Sequence, residues 1–593
     1  MVLFSPDSKN QFASVYLCIY YMIFIQLCQL VESQNCDIKI EDELWPFQWY
    51  LNNTEAKKYD MNVLPAWRSC VNGTGVTVGV VDKGVQDHID LKINRRFDFN
   101  SANEGSVTSY QHGTRVAGVI GALKNKNFTI GIAFGAEIAD IKIASTAVWD
   151  TFDVRAFYHH MDSIQVYSCS FANFHTGTKT YKLEKNQEDA FIKGTTEGRG
   201  GLGSVYVFAT GNSGDEKDIS VDSCAYDRLV TNRYVISVAG IQADLSKVPN
   251  GEACSAMMVA AFTAKGGAQD NKIVTTDVGN KSTEYFNQNS AAAPMVSGAV
   301  ALALSANPNL SYRDVMHLLV NTSRGDLPGF EKGKNYFKKN AANLSVSSYF
   351  GFGLLDIGAL VQRSQVWNNV PARKSCNADM INSQGVGNLF VHVSLCAISY
   401  TEHVEVTLKV NHQSAGQIKW VLISPHGTES TILPGRLLDS TRYMNLTVLT
   451  VQMWGENPNG YWRLEPEALF GSNLDGGTVE FISLKIHGFD CSLSDLRCLE
   501  PAVQDESFFT SPPPYEVTTD KTTDKPDRPS ENTKSINHSV IIIVVVVAVI
   551  FIVVVILVVL KKKKKLCFKE RLRSNNSEIL ENYPTEQHIP LKC

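Results

Sequence analysis

The stretch Tyr285–Leu304, YFNQNSAAAPMVSGAVALAL, sets one serine at the head of a long run of small apolar residues. Alanine-rich text of this length predicts a buried helix, and Ser290 stands at its N-terminal end. Two readings compete there. A serine is small and lets a helix pack tightly; a serine at a helix N-terminus is also a place for a nucleophile. Ser-Ala-Ala-Ala is too weak a pattern to choose, so the choice rests on the remainder of the chain.

The chain has 593 residues, 44% of them apolar and 19% charged, which is enough for two or more folded units with real cores. A formal net charge of −5 gives no basic field, so nucleic acid is not expected as a partner. Residues 1–33 contain the apolar run ASVYLCIYYMIFIQLCQLV and read as a secretory signal peptide, with an uncleaved anchor as the alternative. Residues 540–560 hold 21 consecutive residues without charge or proline, long enough to cross a bilayer, and Lys561–Lys565 follow on what would be the cytoplasmic side. The expectation is a type I single-pass protein of the secretory pathway, at the Golgi or cell surface, with a cytoplasmic tail over 561–593. Asn-x-Ser/Thr acceptors at Asn52, Asn72, Asn127, Asn280, Asn309, Asn321, Asn343 and Asn445 agree with that compartment. So do cysteines able to form disulfides. Candidate pairs are Cys224 with Cys254, Cys376 with Cys396 and Cys491 with Cys498, and sequence leaves other pairings open.

Short β-rich runs such as GVTVGVVD, AEIADIKIA and GSVYVFAT alternate with helical patterns over residues 34–368. That alternation predicts an α/β unit with a parallel sheet covered by helices. From 369 to 490 the text turns to period-two alternation, as in VEVTLKV, with turns at PHGT and NPNG, and predicts an all-β sandwich. Residues 491–539 are rich in proline, threonine and charge and read as a stalk.

Asp82 ends the first expected strand, His112 opens a helix, and Asn212 follows another strand. In an open α/β sheet, functional side chains gather beyond the carboxyl ends of strands, and these positions obey that rule. A serine hydroxyl needs a base to take its proton, and the base needs a carboxylate to fix its tautomer. An oxyanion needs a fixed donor, which an asparagine amide supplies. The order Asp, His, Ser is the one found in subtilisin.

The segments HGTRVAG, GRGGLGSVYVFATGNSG, NKIVTTD and SYFGFGLLDIGALV resemble the kexin and furin branch of the subtilisin-like serine proteases, the proprotein convertases. VLISPHGTESTIL and WGENPNGYWRLE resemble that family's P domain. The resemblance implies a catalytic triad of Asp82, His112 and Ser290, with Asn212 as the side-chain oxyanion donor. It implies a calcium-dependent endopeptidase acting on proproteins at basic sites. Asp42, Asp90 and Asn125 match a structural calcium site, and oxygen ligands suit that hard cation. Asp227 and Asp153 keep the acidic character of substrate subsites. The alternative is a catalytically weak or inactive relative acting as a binding or decoy protein.

The departures from the family bear on activity and specificity. Gln288-Asn289 precedes Ser290 where Gly-Thr is usual, and a side chain in place of glycine is expected to crowd the site. Lys83 and Ser109 replace two acidic subsite positions, and His175 and Tyr181 stand where aspartates are usual. Preference just before P1 should change, with basic P1 preference surviving at best in part. A second ion site around Glu252 has lost an Asp to His175. Phe128 and Ser282 occupy two positions that are normally bridged. The propeptide usual in the family is not recognisable upstream, which leaves open a truncated sequence, folding without an internal chaperone, or a separate propeptide-like chaperone or inhibitor as a partner.

Overall fold

The computed structural model describes residues 36–491 apart from 54–58, 100–109, 144–152, 174–175, 216–220, 265–271, 332–335, 470 and 472. The chain divides into two compact units, Met1–Asp505 and Glu506–Cys593. The second unit, with the expected bilayer span at 540–560, lies outside the described residues. Among the described residues one helix, Asn289–Ala306, is long and apolar enough to span a membrane, and it is buried in the protein core.

Seven strands build the centre: β1 (Thr77–Asp82), β2 (Ile93–Asp98), β3 (Glu137–Lys142), β4 (Val166–Cys169), β5 (Val205–Ala209), β6 (Val235–Ile241) and β7 (Val259–Phe262). They lie in the order 7-6-5-4-1-3-2, with all neighbours parallel. β1, β5 and β6 are buried at every position, as a sheet covered on both faces requires. A hairpin of β8 (Ile273–Asp277) and β9 (Lys281–Phe286) leads into the quoted stretch. Short strands β10 (Ser323–Arg324), β11 (Lys338–Lys339), β12 (Ser345–Val346) and β13 (Leu354–Leu355) follow; β10 and β13 extend the main sheet beyond β7.

The longer helices are α1 (Gln111–Gly121), α2 (Lys185–Glu197), α3 (Asn289–Ala306), α4 (Tyr312–Thr322) and α5 (Ile357–Gln365). The quoted stretch becomes α3, and its alanines and glycine let it lie against β4, β5, β6 and α1. Pro294 falls inside this helix. It has no N–H for the carbonyl of Ser290, four residues earlier. Ser170 Oγ donates to that carbonyl instead, at 3.2 Å.

The β-rich region forms two antiparallel four-stranded sheets. Its strands are β14 (Lys374–Gln384), β15 (Leu389–Val393), β16 (Tyr400–Asn411), β17 (Ile418–Ile423), β18 (Glu429–Leu433), β19 (Tyr443–Thr450), β20 (Gly460–Ala468) and β21 (Thr478–Phe489). The sheet orders are 14-21-16-19 and 15-20-17-18. On β16 the alternate residues Val404, Val406, Leu408 and Val410 are buried, which is the period-two signal read from sequence. The expected turn at PHGT closes the β17–β18 hairpin, with Ser424 N–H on Thr428 O and Gly427 in the left-handed region.

The α/β and β-sandwich parts meet through buried charge. From α4, Arg313 and His317, one turn apart, both reach Glu402 of β16, His317 Nε2 at 2.8 Å. Arg228 Nη2 reaches Glu405 at 2.8 Å, and His487 lies 3.1 Å from the same carboxylate. Despite burial, the histidine hydrogen bonds and the arginine charges hold both glutamates well below the usual carboxylate range. Arg436, 1% exposed, donates to the carbonyls of Lys179 and Thr178 and to Asp222, and stacks on Tyr226.

Cys224–Cys254 and Cys376–Cys396 are bonded as expected. Cys491 is also disulfide-bonded, and Cys498, its expected partner, lies outside the described residues. Cys36–Cys70 is a further disulfide that the sequence reading did not pair.

Candidate active site

Asp82 ends β1 between β3 and β4, where strand order changes direction. Ligand crevices open beyond strand ends at such a point. Its side chain is 1% exposed; Oδ1 accepts the Lys83 amide at 2.8 Å and Oδ2 lies 2.7 Å from His112 Nδ1. That hydrogen bond fixes the tautomer with the Nδ1 proton toward the carboxylate and leaves Nε2 outward. Gly113 makes the approach possible: a Cβ there would lie 2.3 Å from Gly84 O and 3.2 Å from Asp82 Cβ. Phe286 packs edge-on against the imidazole, with ring centroids 5.8 Å apart.

Ser290 is the second residue of α3. Its Oγ donates to Ser170 O at 3.2 Å, just beyond the carboxyl end of β4. Among the described residues no hydrogen bond joins Ser290 to His112. The expected convergence is therefore complete for the carboxylate and imidazole, while the hydroxyl is turned to a backbone carbonyl. Hydrogen bonds between nucleophile and base are often loose without substrate.

Asn212 follows β5 by three residues. Its Oδ1 accepts the backbone N–H of Asn289 at 3.2 Å, which aims Nδ2 the other way. Nδ2 has no hydrogen-bond partner among the described residues. A carboxamide held by its oxygen and presenting its N–H₂ suits an oxyanion.

Gln288 and Asn289 shape the backbone just before the serine. Gln288 takes φ 59° and ψ −167°, a region almost confined to glycine. Its carbonyl accepts Thr263 Oγ1 at 2.7 Å, which helps hold the turn. Asn289 points inward and is 1% exposed.

The two acidic residues read as substrate-binding already have partners. Asp227 is fully buried and accepts Asn173 N and Leu229 N at 3.0 and 2.9 Å. Asp153 caps the short helix Val154–Phe157 and pairs with Arg155, whose hydrogen bonds pull its pKa down. Tyr181 bridges in parallel to Asp227. Ser109 and His175 lie outside the described residues.

Asp42 and Asp90 are buried, and one oxygen of each, Asp42 Oδ2 and Asp90 Oδ1, has no hydrogen-bond partner among the described residues. Asp42 Oδ1 accepts the Asn125 amide at 3.0 Å. Burial pushes Asp90 up to about 7, and the nearby Asp42 charge adds to this. Two adjacent buried carboxylates with orphaned oxygens, beside Asn125, are a donor set that fits a hard dication. No group of three or more His, Cys, Asp or Glu side chains gathers among the described residues, so amide and carbonyl oxygens would complete the shell. Glu252, read as part of a second ion site, accepts the Ser213 amide at 3.0 Å beside Asn212. At the unbridged positions, Phe128 packs on His88, and His88 Nε2 lies 2.9 Å from the carbonyl of Lys281, the neighbour of Ser282.

The fold, with a carboxylate, an imidazole and an amide donor beyond strand ends, defines a subtilisin-type serine hydrolase scaffold. Residues 73–353 match the subtilase family (Peptidase_S8), and residues 401–486 match the proprotein convertase P-domain. Neuroendocrine convertase 2 of Drosophila melanogaster is 32% identical over 489 residues, which are 77% of this chain and 74% of that protein. Rat (Rattus norvegicus) furin is 33% identical over 471 residues, 75% of this chain and 58% of furin. The chain spans only 40% of Drosophila furin-like protease 1, isoform 1-CRR, at 31% identity and with 72% of its own length matched. The Aeromonas sobria serine protease, solved in complex with its chaperone, superposes with a TM-score of 0.67 at 20% identity, over 77% of this chain and 96% of that one. The chain belongs to the kexin/furin-like proprotein convertases, subtilisin-like serine proteases with a P domain.

Proposed function

We propose that this chain is a serine endopeptidase of the secretory pathway that processes protein precursors. The observation that carries the reading is the 2.7 Å Asp82–His112 hydrogen bond, with Asn212 Nδ2, unpartnered among the described residues, beside the first turn of the helix that carries Ser290. In the first step Ser290 Oγ leaves Ser170 O and gives its proton to His112 Nε2 as it bonds to the scissile carbonyl carbon. Asn212 Nδ2 donates to the oxygen that gains charge. The C–N bond then breaks, His112 protonates the leaving amine, and an acyl ester remains on Ser290. Water, deprotonated by His112, hydrolyses that ester, releasing the acid and restoring the serine.

Subsite preference departs from paired basic residues. Lys83 puts a cation directly after the catalytic carboxylate, and the Asp153 carboxylate is taken up by Arg155. A guanidinium entering a subsite needs a charge-assisted partner. Asp42, Asp90 and Asn125 would hold calcium, which supplies positive charge to the two orphaned carboxylate oxygens. Disulfides support an oxidising compartment, and the apolar run 540–560 followed by Lys561–Lys565 supports a type I membrane anchor. The chaperone named with the Aeromonas sobria protease supports a separate folding partner or inhibitor for this chain.

The test is hydrolysis of an internally quenched peptide library by the full chain and by Ser290→Ala. The reading expects cleavage by the wild type alone, with Lys-Arg sites cut more slowly than by an ordinary convertase. Equal cleavage by the two forms, or none by either, contradicts proteolysis; fast Lys-Arg cleavage contradicts the altered preference.

A further inference from the structure

Asn289, the residue just before the candidate nucleophile, is more heavily engaged than its position requires. It is 1% exposed, and each polar atom of its side chain has a backbone partner on or just beyond the central sheet. Oδ1 accepts the N–H of Gly240 in β6 at 2.7 Å. Nδ2 donates to the carbonyl of Gly211, between β5 and Asn212, and lies 3.4 Å from Thr210 Oγ1. Thr210 Oγ1 is itself tied to Val238 O of β6 at 3.1 Å. Gly240 leaves the space this needs, since a Cβ there would lie 2.9 Å from Asn289 Oδ1.

The backbone completes the arrangement. The N–H at the first position of a helix has no partner within the helix. In Asn289 that donor goes to Asn212 Oδ1 at 3.2 Å. One residue thus grips Asn212 directly and also the peptide that precedes it, while its own carbonyl leads into Ser290. From the far side, Glu252 Oε1 accepts the Ser213 N–H at 3.0 Å. The turn carrying Asn212 is held on both sides, by Asn289 and by Glu252.

We infer that Asn289 is a positioning residue that fixes the Asn212 Nδ2 donor relative to the Ser290 hydroxyl. The inference rests on the proteolytic reading above and adds to it the group that registers donor against nucleophile. A purely structural asparagine would slow every step through lost folded protein; a positioning one acts only through Asn212.

A double-mutant cycle separates the two, read by the rate at which a fluorophosphonate labels the folded full chain. In that reaction Ser290 Oγ bonds to phosphorus, fluoride leaves and the proton passes to His112. The phosphoryl oxygen takes the place of the oxyanion. Losing an oxyanion donor costs about 10²–10³-fold, and an ångström of misplacement costs about 10²-fold. Asn289→Ala is expected to slow the maximal labelling rate at least ~10-fold with reversible probe affinity unchanged. In the Asn212→Ala background the same change is expected to slow it less than about twofold, because the donor it positions is gone. Should Asn289→Ala not accumulate as folded protein, Asn289→Thr, which keeps a hydroxyl donor toward Gly211, goes through the same cycle. Additive slowing in the double variant, or no slowing in the single one, overturns the positioning role while labelling of the wild type leaves the protease standing. A wild type that is not labelled removes both.

Discussion

The guanidinium of Arg436, from the β-sandwich, lies 3.7 Å from the ring centroid of Tyr226 in the α/β part, next in sequence to the buried Asp227. Arg436 also faces Asp222 and Asp439, both of which are buried. Removing the cation strands two carboxylates away from water. Arg436→Ala is expected to destabilise the protein by about 3–5 kcal/mol in denaturant unfolding. Arg436→Lys should recover only part of this, because an ammonium cannot reproduce the planar stack and the fork of donors. A loss below about 1 kcal/mol would show that the contact is not what joins the two parts.

Gln288 offers a gain rather than a loss. Its φ of 59° with ψ −167° costs a residue with a side chain about 1–3 kcal/mol. Gln288→Gly removes the cost and returns some of it as greater unfolded-chain entropy. A net stabilisation of about 1 kcal/mol is expected in thermal unfolding, and destabilisation of that size would contradict the strain.

His403 sets a pH dependence. Neither ring nitrogen has a partner among the described residues, and burial pushes its pKa down to about 3 from 6.5. The charged groups near it are Glu402, which raises the pKa, and His487, Arg373 and Arg233, which lower it. Below pH 6.5 the unfolded chain takes up a proton that the folded chain refuses, so stability falls as pH falls, down to the folded value. The slope from this residue is about 1.4 kcal/mol per pH unit. His487 is lowered by burial as well and adds in the same direction. Glu402 and Glu405 act only near and below the ordinary glutamate range, while Asp90, raised to about 7, and Asp140, raised to about 6, oppose the histidines between pH 6.5 and 5, so the His403 contribution is read as the difference between wild type and variant. His403→Phe should flatten the dependence of unfolding free energy there; an unchanged slope would assign it elsewhere.

Chelation tests the proposed calcium site. With calcium at ~100 times its Kd the folded state gains about 2.7 kcal/mol. Chelator should remove that stabilisation from the wild type and have no effect on Asp42→Asn/Asp90→Asn, where the two orphaned carboxylates are neutralised. Equal loss in both would place the ion elsewhere.

Much of this architecture was legible because it is written in local pattern. Period-two alternation gave β16, and the strand-then-turn text around Asp82 and Asn212 gave their places beyond strand ends. What stayed hidden depends on contacts between distant segments. Nothing local says that Asn289 reaches Gly211 and Gly240, or that Arg436 crosses to Tyr226. The resemblance marks Asp153 as an acidic subsite position but does not show its pairing with Arg155, two residues on. Cys36–Cys70 joins residues 34 apart, with no local pattern to pair them. Pro294 was the available clue to Ser170: a proline four residues after Ser290 leaves that carbonyl without a helical donor, and Ser170 fills the role.

The claim on which the account turns is that Ser290, although its hydroxyl rests on Ser170, is driven as a nucleophile by an imidazole that Asp82 orients. Mass-spectrometric mapping of the full chain after fluorophosphonate treatment tests it most directly. The account predicts a phosphonyl group on Ser290 in the wild type, and at most trace modification in Ser290→Ala and His112→Ala. An unmodified Ser290 in folded wild type, or equal modification with and without His112, would contradict it.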